Sequence, residues 1–163
     1  MIPQRTFEAR SVSFDIGAAL DTTKRDRDLP YQSWSGEYLF SFKLPYFQRG
    51  FVWTERQCVR FIESAWLGFS LGSYMVNELD WVGRFIPEAD GFLIDGQQRL
   101  TAIQKYVNDE FRVFDQLWSE LTVVEKRRFK GTQFNQMRVY IKDMAKLEDL
   151  YERLNFGGTP HSR

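Results

Sequence analysis

The sequence has one cysteine, Cys58, and one histidine, His161. A single thiol excludes an intramolecular disulfide framework and any multi-thiolate zinc site, and it suits a reducing compartment better than a secretory route. A single imidazole excludes centres built from two, including the His-rich metal sites of nucleases. Net charge is also missing: 22 Lys and Arg balance 22 Asp and Glu, and a pI near 6.6 removes the global field expected of a general polyanion binder. No apolar run approaches the roughly 20 residues of a spanning helix, and the start, Met1-Ile2-Pro3-Gln4-Arg5, lacks the apolar stretch of a secretory signal. No internal repeat or low-complexity tract occurs. The expectation is a soluble, cytoplasmic protein with no membrane partner.

Apolar and aromatic side chains are what the chain has in quantity. Of 163 residues, 43% are hydrophobic and 17% aromatic, so a single domain can build its core without staples and most rings are expected inside it. Residues 1–37 read as an N-terminal extension, ending in the loop Leu20 to Gly36 where acids and bases cancel; a short helix could precede that loop. The alternation of Tyr38, Phe40, Phe42 and Leu44 reads as a strand ended by Pro45. Thr54 and Gln57 have the spacing of a capping box, opening a helix on Val59, Ile62, Ala65 and Trp66 that runs to Gly68. Tyr74 to Leu79 and Gly91 to Ile94 read as strands, and Leu100, Ile103, Tyr106 and Val107 as a helix face. Glu110 to Phe114 reads as a further strand. Thr122 and Glu125 form a second capping box, before a basic helix stopped by Gly131. Met137, Val139 and Ile141 mark a half-buried strand. Asp143 caps a last helix on Met144, Leu147, Leu150, Tyr151 and Leu154, closed by Gly157-Gly158. Short strands alternating with helices predict a compact α+β domain over residues 38–163 with a small mixed or partly parallel sheet.

The strongest local arrangement is Asp95-Gly96-Gln97-Gln98-Arg99, where a buried strand turns into a helix. The first turn of a helix has unpaired amides and the positive end of the macrodipole, which suits an anion. Gly96 lets a phosphate approach, Gln97 and Gln98 offer neutral donors, and Arg99 adds a planar fork. Asp95 could hold Mg²⁺ or position a water; equally, it could be the helix cap, with Arg99 a surface cation. In Leu44 to Trp53, Gln48 and Arg49 lie among aromatic residues, either as a stacked structural Arg or as a ligand donor, with the structural option favoured. Arg153 to Pro160 fits a helix stop better than a ligand loop. The run Lys126-Arg127-Arg128-Lys130 fits a solvated helix face better than a DNA contact. Cys58 suits burial more than nucleophilic work, and His161 suits exposure without function.

Three segments together resemble the N-terminal domain of GmrSD-type, modification-dependent restriction enzymes, known for a DGQQR motif. They are Pro45-Tyr46-Phe47-Gln48-Arg49-Gly50-Phe51-Val52-Trp53, Ile94-Asp95-Gly96-Gln97-Gln98-Arg99-Leu100-Thr101-Ala102-Ile103, and Tyr151-Glu152-Arg153-Leu154-Asn155-Phe156-Gly157-Gly158-Thr159-Pro160. Gln57, Phe61 to Ser64 and Leu67-Gly68 fall between them. The resemblance implies a ParB/sulfiredoxin-like fold and binding and hydrolysis of a nucleoside triphosphate with Mg²⁺. It gives Asp95, Gln97, Gln98 and Arg99 as catalytic residues and Asp95 as the metal ligand. Gln48 and Arg49 would neighbour the phosphates, with Gly96, Arg153 and Asn155 in the same pocket. A single His cannot supply the family's second, HNH nuclease domain, and Gly68-Phe69-Ser70-Leu71-Gly72-Ser73 replaces its usual Gly-x-Pro-Ile-Pro. The expectation is a phosphohydrolase module in DNA restriction, phage defence or counter-defence, in a bacterial or phage-infected cell, either stand-alone or cut from a longer chain. The alternatives are a nucleotide- or DNA-binding regulator of a separate nuclease, and a weak ParB-like DNA nickase.

Overall fold

The apolar stretches pair into a sheet whose order places a strand end against a helix start. The computed structural model describes residues 2–21, 34–80 and 86–156. In chain order the elements are β1 (Ala9–Val12), α1 (Ile16–Asp21), β2 (Tyr38–Leu39), β3 (Phe42–Lys43), α2 (Glu55–Leu67), β4 (Ser73–Asn77) and β5 (Leu93–Asp95). Then follow α3 (Gln97–Val107), α4 (Val123–Lys130), β6 (Asn135–Val139) and α5 (Met144–Phe156). Four strands form one sheet in the order β1-β6-β4-β5, mixed because β4 runs parallel to β6 while β1 and β5 are antiparallel to their neighbours. The molecule is a single α+β domain, with this sheet and the small β2–β3 hairpin flanked by helices.

Side chains on β5 alternate between two clusters, which shows that both faces of the sheet are covered. Leu93 joins the larger cluster with Ile62 of α2 and Leu100, Ile103 and Tyr106 of α3. Phe92 and Ile94 join the smaller one with Leu147, Leu150 and Tyr151 of α5. The largest fully buried side chains include Tyr74, Tyr106, Phe92, Phe129 and Phe134, so the rings enter the core as expected. The N-terminal stretch takes part as well: β1 edges the sheet, and Ile16 and Ala19 of α1 are buried in the larger cluster. No helix among the described residues is long and apolar enough to cross a membrane.

Both capping boxes form. Thr54 with Gln57 opens α2, and Thr122 with Glu125 opens α4. Gly68 ends α2 in the left-handed conformation at φ 81°, whereas Gly131 ends α4 with ordinary helical angles. Asp143 caps α5, its Oδ1 accepting from the Ala145 amide at 2.9 Å. The proposed closure at Gly157-Gly158 and most of the loop from Leu20 lie outside the described residues.

Three expectations are corrected. Tyr38 to Leu44 is not one strand but a hairpin that turns at Phe40, φ 54°. Consecutive Leu39 and Phe40 are both buried, which strict alternation cannot achieve and a reversal can. Glu110 to Phe114 is not a strand: Phe114 and Asp115 have positive φ, and local polar bonds hold a turn, with Arg112 donating to Glu120 at 2.8 Å and the Ser119 amide to Asp109 at 2.8 Å. In β6 the buried residues are Gln136 and Val139 rather than Met137, because this strand is paired on both sides and covered on both faces.

Candidate functional site

β5 ends at Asp95 and α3 begins at Gln97, so the whole turn is made by Gly96. Its φ is 100°, and a Cβ there would sit 2.5 Å from the Cβ of Tyr74. Both the backbone angle and the close approach to β4 therefore require glycine. Gly96 is also the N-cap, and no side chain caps the helix. The alternative in which Asp95 is the cap is thus excluded. Asp95 instead pairs through Oδ2 with the Arg99 guanidinium at 3.0 Å.

Arg99 is anchored from several directions. One terminal nitrogen donates to the Leu71 carbonyl at 3.1 Å, the other to Asp95, and the guanidinium carbon lies 5.8 Å from the centre of the Phe134 ring. A Cβ on Gly72 would come within 2.9 Å of the same guanidinium, so the loop after α2 is fitted around it. A fork fixed in this way presents its remaining N–H groups without first having to order the side chain.

The two adjacent glutamines do different things. Gln98 Oε1 accepts from the amides of Val52 at 2.9 Å and Trp53 at 3.2 Å, while its Nε2 donates to the Gly50 carbonyl at 3.1 Å. Its amide is spent on clipping the 48–53 loop to α3. Gln97 is only 8% exposed, and among the described residues its Oε1 has no hydrogen-bond partner; the buried Oε1 of Gln48 has none either. Elsewhere a buried amide is fully used: Asn77 donates to Ala89 and Ile141 carbonyls and accepts from the Ile141 amide. Unused buried acceptors are rare in folded proteins, so two at one site stand out.

The 48–53 loop reaches this bend because its rings are turned inward. Phe47 packs on Phe92 and, at 5.3 Å between ring centres, on Tyr151; the Tyr151 hydroxyl accepts from the Arg49 amide at 2.9 Å. Arg49 is exposed rather than buried among the rings. Gln48, Arg49, Asp95 to Arg99 and Asn155 line one cleft of about 160 Å³, with Trp53 completing the wall. Of the residues expected in this pocket, Arg153 is the one left out. Its side chain is 70% exposed and its Nε pairs with Asp149 at 2.9 Å. Trp53, Leu71, Tyr74 and Tyr151 were missed as parts or supports of the site. Trp53 and Tyr151 carried a sequence signal, as members of the resembling segments, and Tyr74 one only as the start of a strand.

Among the described residues Asp95 is the single carboxylate lining the cleft, and no group of three or more His, Cys, Asp or Glu is placed to hold a metal. Mg²⁺ commonly binds through one or two carboxylates plus substrate phosphates, so the donor set fits a Mg²⁺ that arrives on a phosphate chain. Cys58 is buried, with its thiol pushed up by desolvation, which keeps it protonated and inert. On α4, Arg128 donates to the Trp66 carbonyl and Lys126 to the Ser119 carbonyl. His161 lies outside the described residues.

A glycine bend, a helix start with no side-chain cap and two arginines on one cleft are what this α+β domain brings together. The family model described as GmrSD restriction endonuclease, N-terminal domain, matches residues 31–163, and the chain belongs to that family. It is thereby linked to restriction. No curated protein and no solved structure matches it.

Proposed function

We propose that the cleft binds the phosphates of a nucleoside triphosphate carried with Mg²⁺ and hydrolyses the terminal one. The observation that supports this reading is the convergence of the uncapped α3 start with Arg49 and Arg99 in one cleft. Amide dipoles and guanidinium groups stabilise charge on phosphate oxygens, and they stabilise it more as charge develops at the bridging oxygen. The phosphates compete with Asp95 for Arg99, releasing the carboxylate. Asp95 then orients a water towards the γ-phosphorus or takes a place beside the metal. Water adds at phosphorus, the bond to the β–γ bridging oxygen breaks, and nucleoside diphosphate and inorganic phosphate leave. Mg²⁺, when bound, neutralises the phosphate oxygens. Gln98 keeps Gly50 to Trp53 against α3 and so works as a positioning residue rather than on the water.

In the restriction setting, hydrolysis would license cleavage of DNA by a separate nuclease. A second reading, binding without turnover, is favoured by the same Asp95: it is the cleft's single carboxylate and is already paired. Phosphate release from the purified protein with each triphosphate, with and without DNA, decides between them. Turnover that Asp95→Ala and Arg99→Ala each lower by about 100-fold supports hydrolysis. Binding that depends on Arg99 without any release supports the regulator, and release indifferent to both substitutions rejects the site.

A further inference from the structure

We propose that the Oε1 atoms of Gln48 and Gln97 accept hydrogen bonds from the ribose hydroxyls of the nucleotide, so that the site selects ribonucleoside over 2′-deoxyribonucleoside triphosphates. This rests on the phosphate reading of the cleft and adds the sugar to it.

The argument begins with volume. A cleft of about 160 Å³ is too small for a whole nucleotide, since pockets for ligands of that size run to roughly 300–1,000 Å³. A second cavity of about 450 Å³ adjoins it, walled by Trp34, Pro45 and Tyr46 and rimmed by Glu37 and Glu88. Three residues line both: Gln48, Arg49 and Gln97. With the phosphates at the α3 start, the second cavity, which offers Trp34 and Tyr46, is left for the base, and the shared wall falls where a nucleotide carries its sugar.

Chemistry at that wall agrees with the placement. Gln97 is 8% exposed, and neither its Oε1 nor that of Gln48 has a donor. A phosphate oxygen is itself an acceptor and cannot satisfy them. The face of a base stacked on Trp34 or Tyr46 offers no donor either. The 2′- and 3′-hydroxyls of ribose are donors, and they are the part of the ligand that lies between phosphates and base. A site with buried acceptors rejects the analogue that lacks the matching hydroxyl, because its own oxygen is then left unpaired. Stacking on aromatic rings discriminates little among bases, so selection falls more on the sugar than on the base.

The test is equilibrium binding of base-matched pairs, ATP with dATP and GTP with dGTP, to the full chain in the presence of Mg²⁺, with tripolyphosphate as a probe of the phosphate cleft alone. The expected result is about tenfold or more tighter binding of each ribonucleotide, with ATP falling to the level of dATP in Gln97→Leu. Gln97 Oε1 makes no bond in the free protein, so this variant is expected to fold; if it does not, the wild-type comparison of ATP with dATP decides alone. Equal binding of ATP and dATP overturns the ribose contact while leaving the phosphate reading in place. So does tripolyphosphate binding as tightly as ATP. Equal loss of ATP and dATP in Gln97→Leu shows that Gln97 Oε1 does not hold the 2′-hydroxyl and overturns the sugar selection assigned to it. No binding of tripolyphosphate or any nucleotide removes the phosphate reading, and the sugar contact with it.

Discussion

Helices α2 and α3 pack side by side, yet their N-termini are finished in opposite ways. At α2 the Thr54 hydroxyl accepts from the Gln57 amide, and the Gln57 side chain accepts from the Thr54 amide at 2.8 Å. The two bonds satisfy two of the free amides at this helix start from within the chain. At α3 a glycine stands in the cap position and no side chain reaches back. The chain repeats the α2 solution at α4, so self-capping is its usual practice and α3 is the departure. Glycine is an acceptable cap residue, costing only about a few tenths of a kcal/mol against Thr, but it leaves the first-turn amides without a side-chain acceptor. Such a departure is expected where a ligand completes the turn.

The most severe way to break the contrast is Gly96→Ala. The new Cβ must move the backbone of β4 away from α3 and hold a left-handed angle at the same residue. Strain at φ 100° and overpacking against Tyr74 together predict a loss of about 2–5 kcal/mol, read as a shift in the urea midpoint at constant slope. A loss below about 1 kcal/mol would show that Gly96 is not pressed against β4. Next in size is Gln98→Leu, which removes three hydrogen bonds and leaves the Val52 and Trp53 amides and the Gly50 carbonyl without that partner. About 2 kcal/mol is expected, together with weaker nucleotide binding as the loop carrying Gln48 and Arg49 loosens. Retention of both stability and binding would mean that the clip does not shape the cleft.

The contrast between Gln97 and Gln98 also shows where the sequence was legible and where it was not. Capping boxes, the strand before Asp95 and the glycine bend are encoded within a few residues, so local spacing reveals them. The partner of Gln98 lies in the 50–53 loop, and no local pattern announces it. Neighbouring positions on a helix point about 100° apart, so although both glutamines line the cleft, the amide of Gln98 alone reaches the 50–53 loop. The same geometry separates Arg153 from Asn155: two positions on α5 differ by about 200°, and only Asn155 lines the cleft. The hairpin at 38–43 was illegible for a different reason. Its apolar residues alternate like a strand, and only tertiary burial of both Leu39 and Phe40 makes the chain reverse there.

Thr54→Ala sharpens the comparison from the other side. It removes an ordinary cap, and about 1 kcal/mol of stability is expected to go with it. Nucleotide binding at α3 should be unchanged, because the Thr54 side chain bonds Gln57 and does not line the cleft. Equal damage to binding would mean that α2 and α3 are coupled, and that an uncapped start is not an independent site.

The smallest effect distinguishes the two capping boxes themselves. Gln57 closes the first with an amide, which does not titrate; Glu125 closes the second with a carboxylate, accepting from the Thr122 amide at 2.7 Å. Bonds from the Thr122 side chain and backbone hold the Glu125 carboxyl below its ordinary 4.5. A carboxyl lowered by folding contributes stability that is complete above its unfolded value and disappears as pH falls through the folded one. The advantage of the wild type over Glu125→Gln should therefore be present near about pH 6 and smaller near about pH 3, whereas the cost of Gln57→Ala should be the same at both. Urea midpoints of the three proteins at the two pH values measure this. A Glu125 advantage that persists undiminished in acid would show that shape rather than charge closes α4, and the two boxes would then be one device.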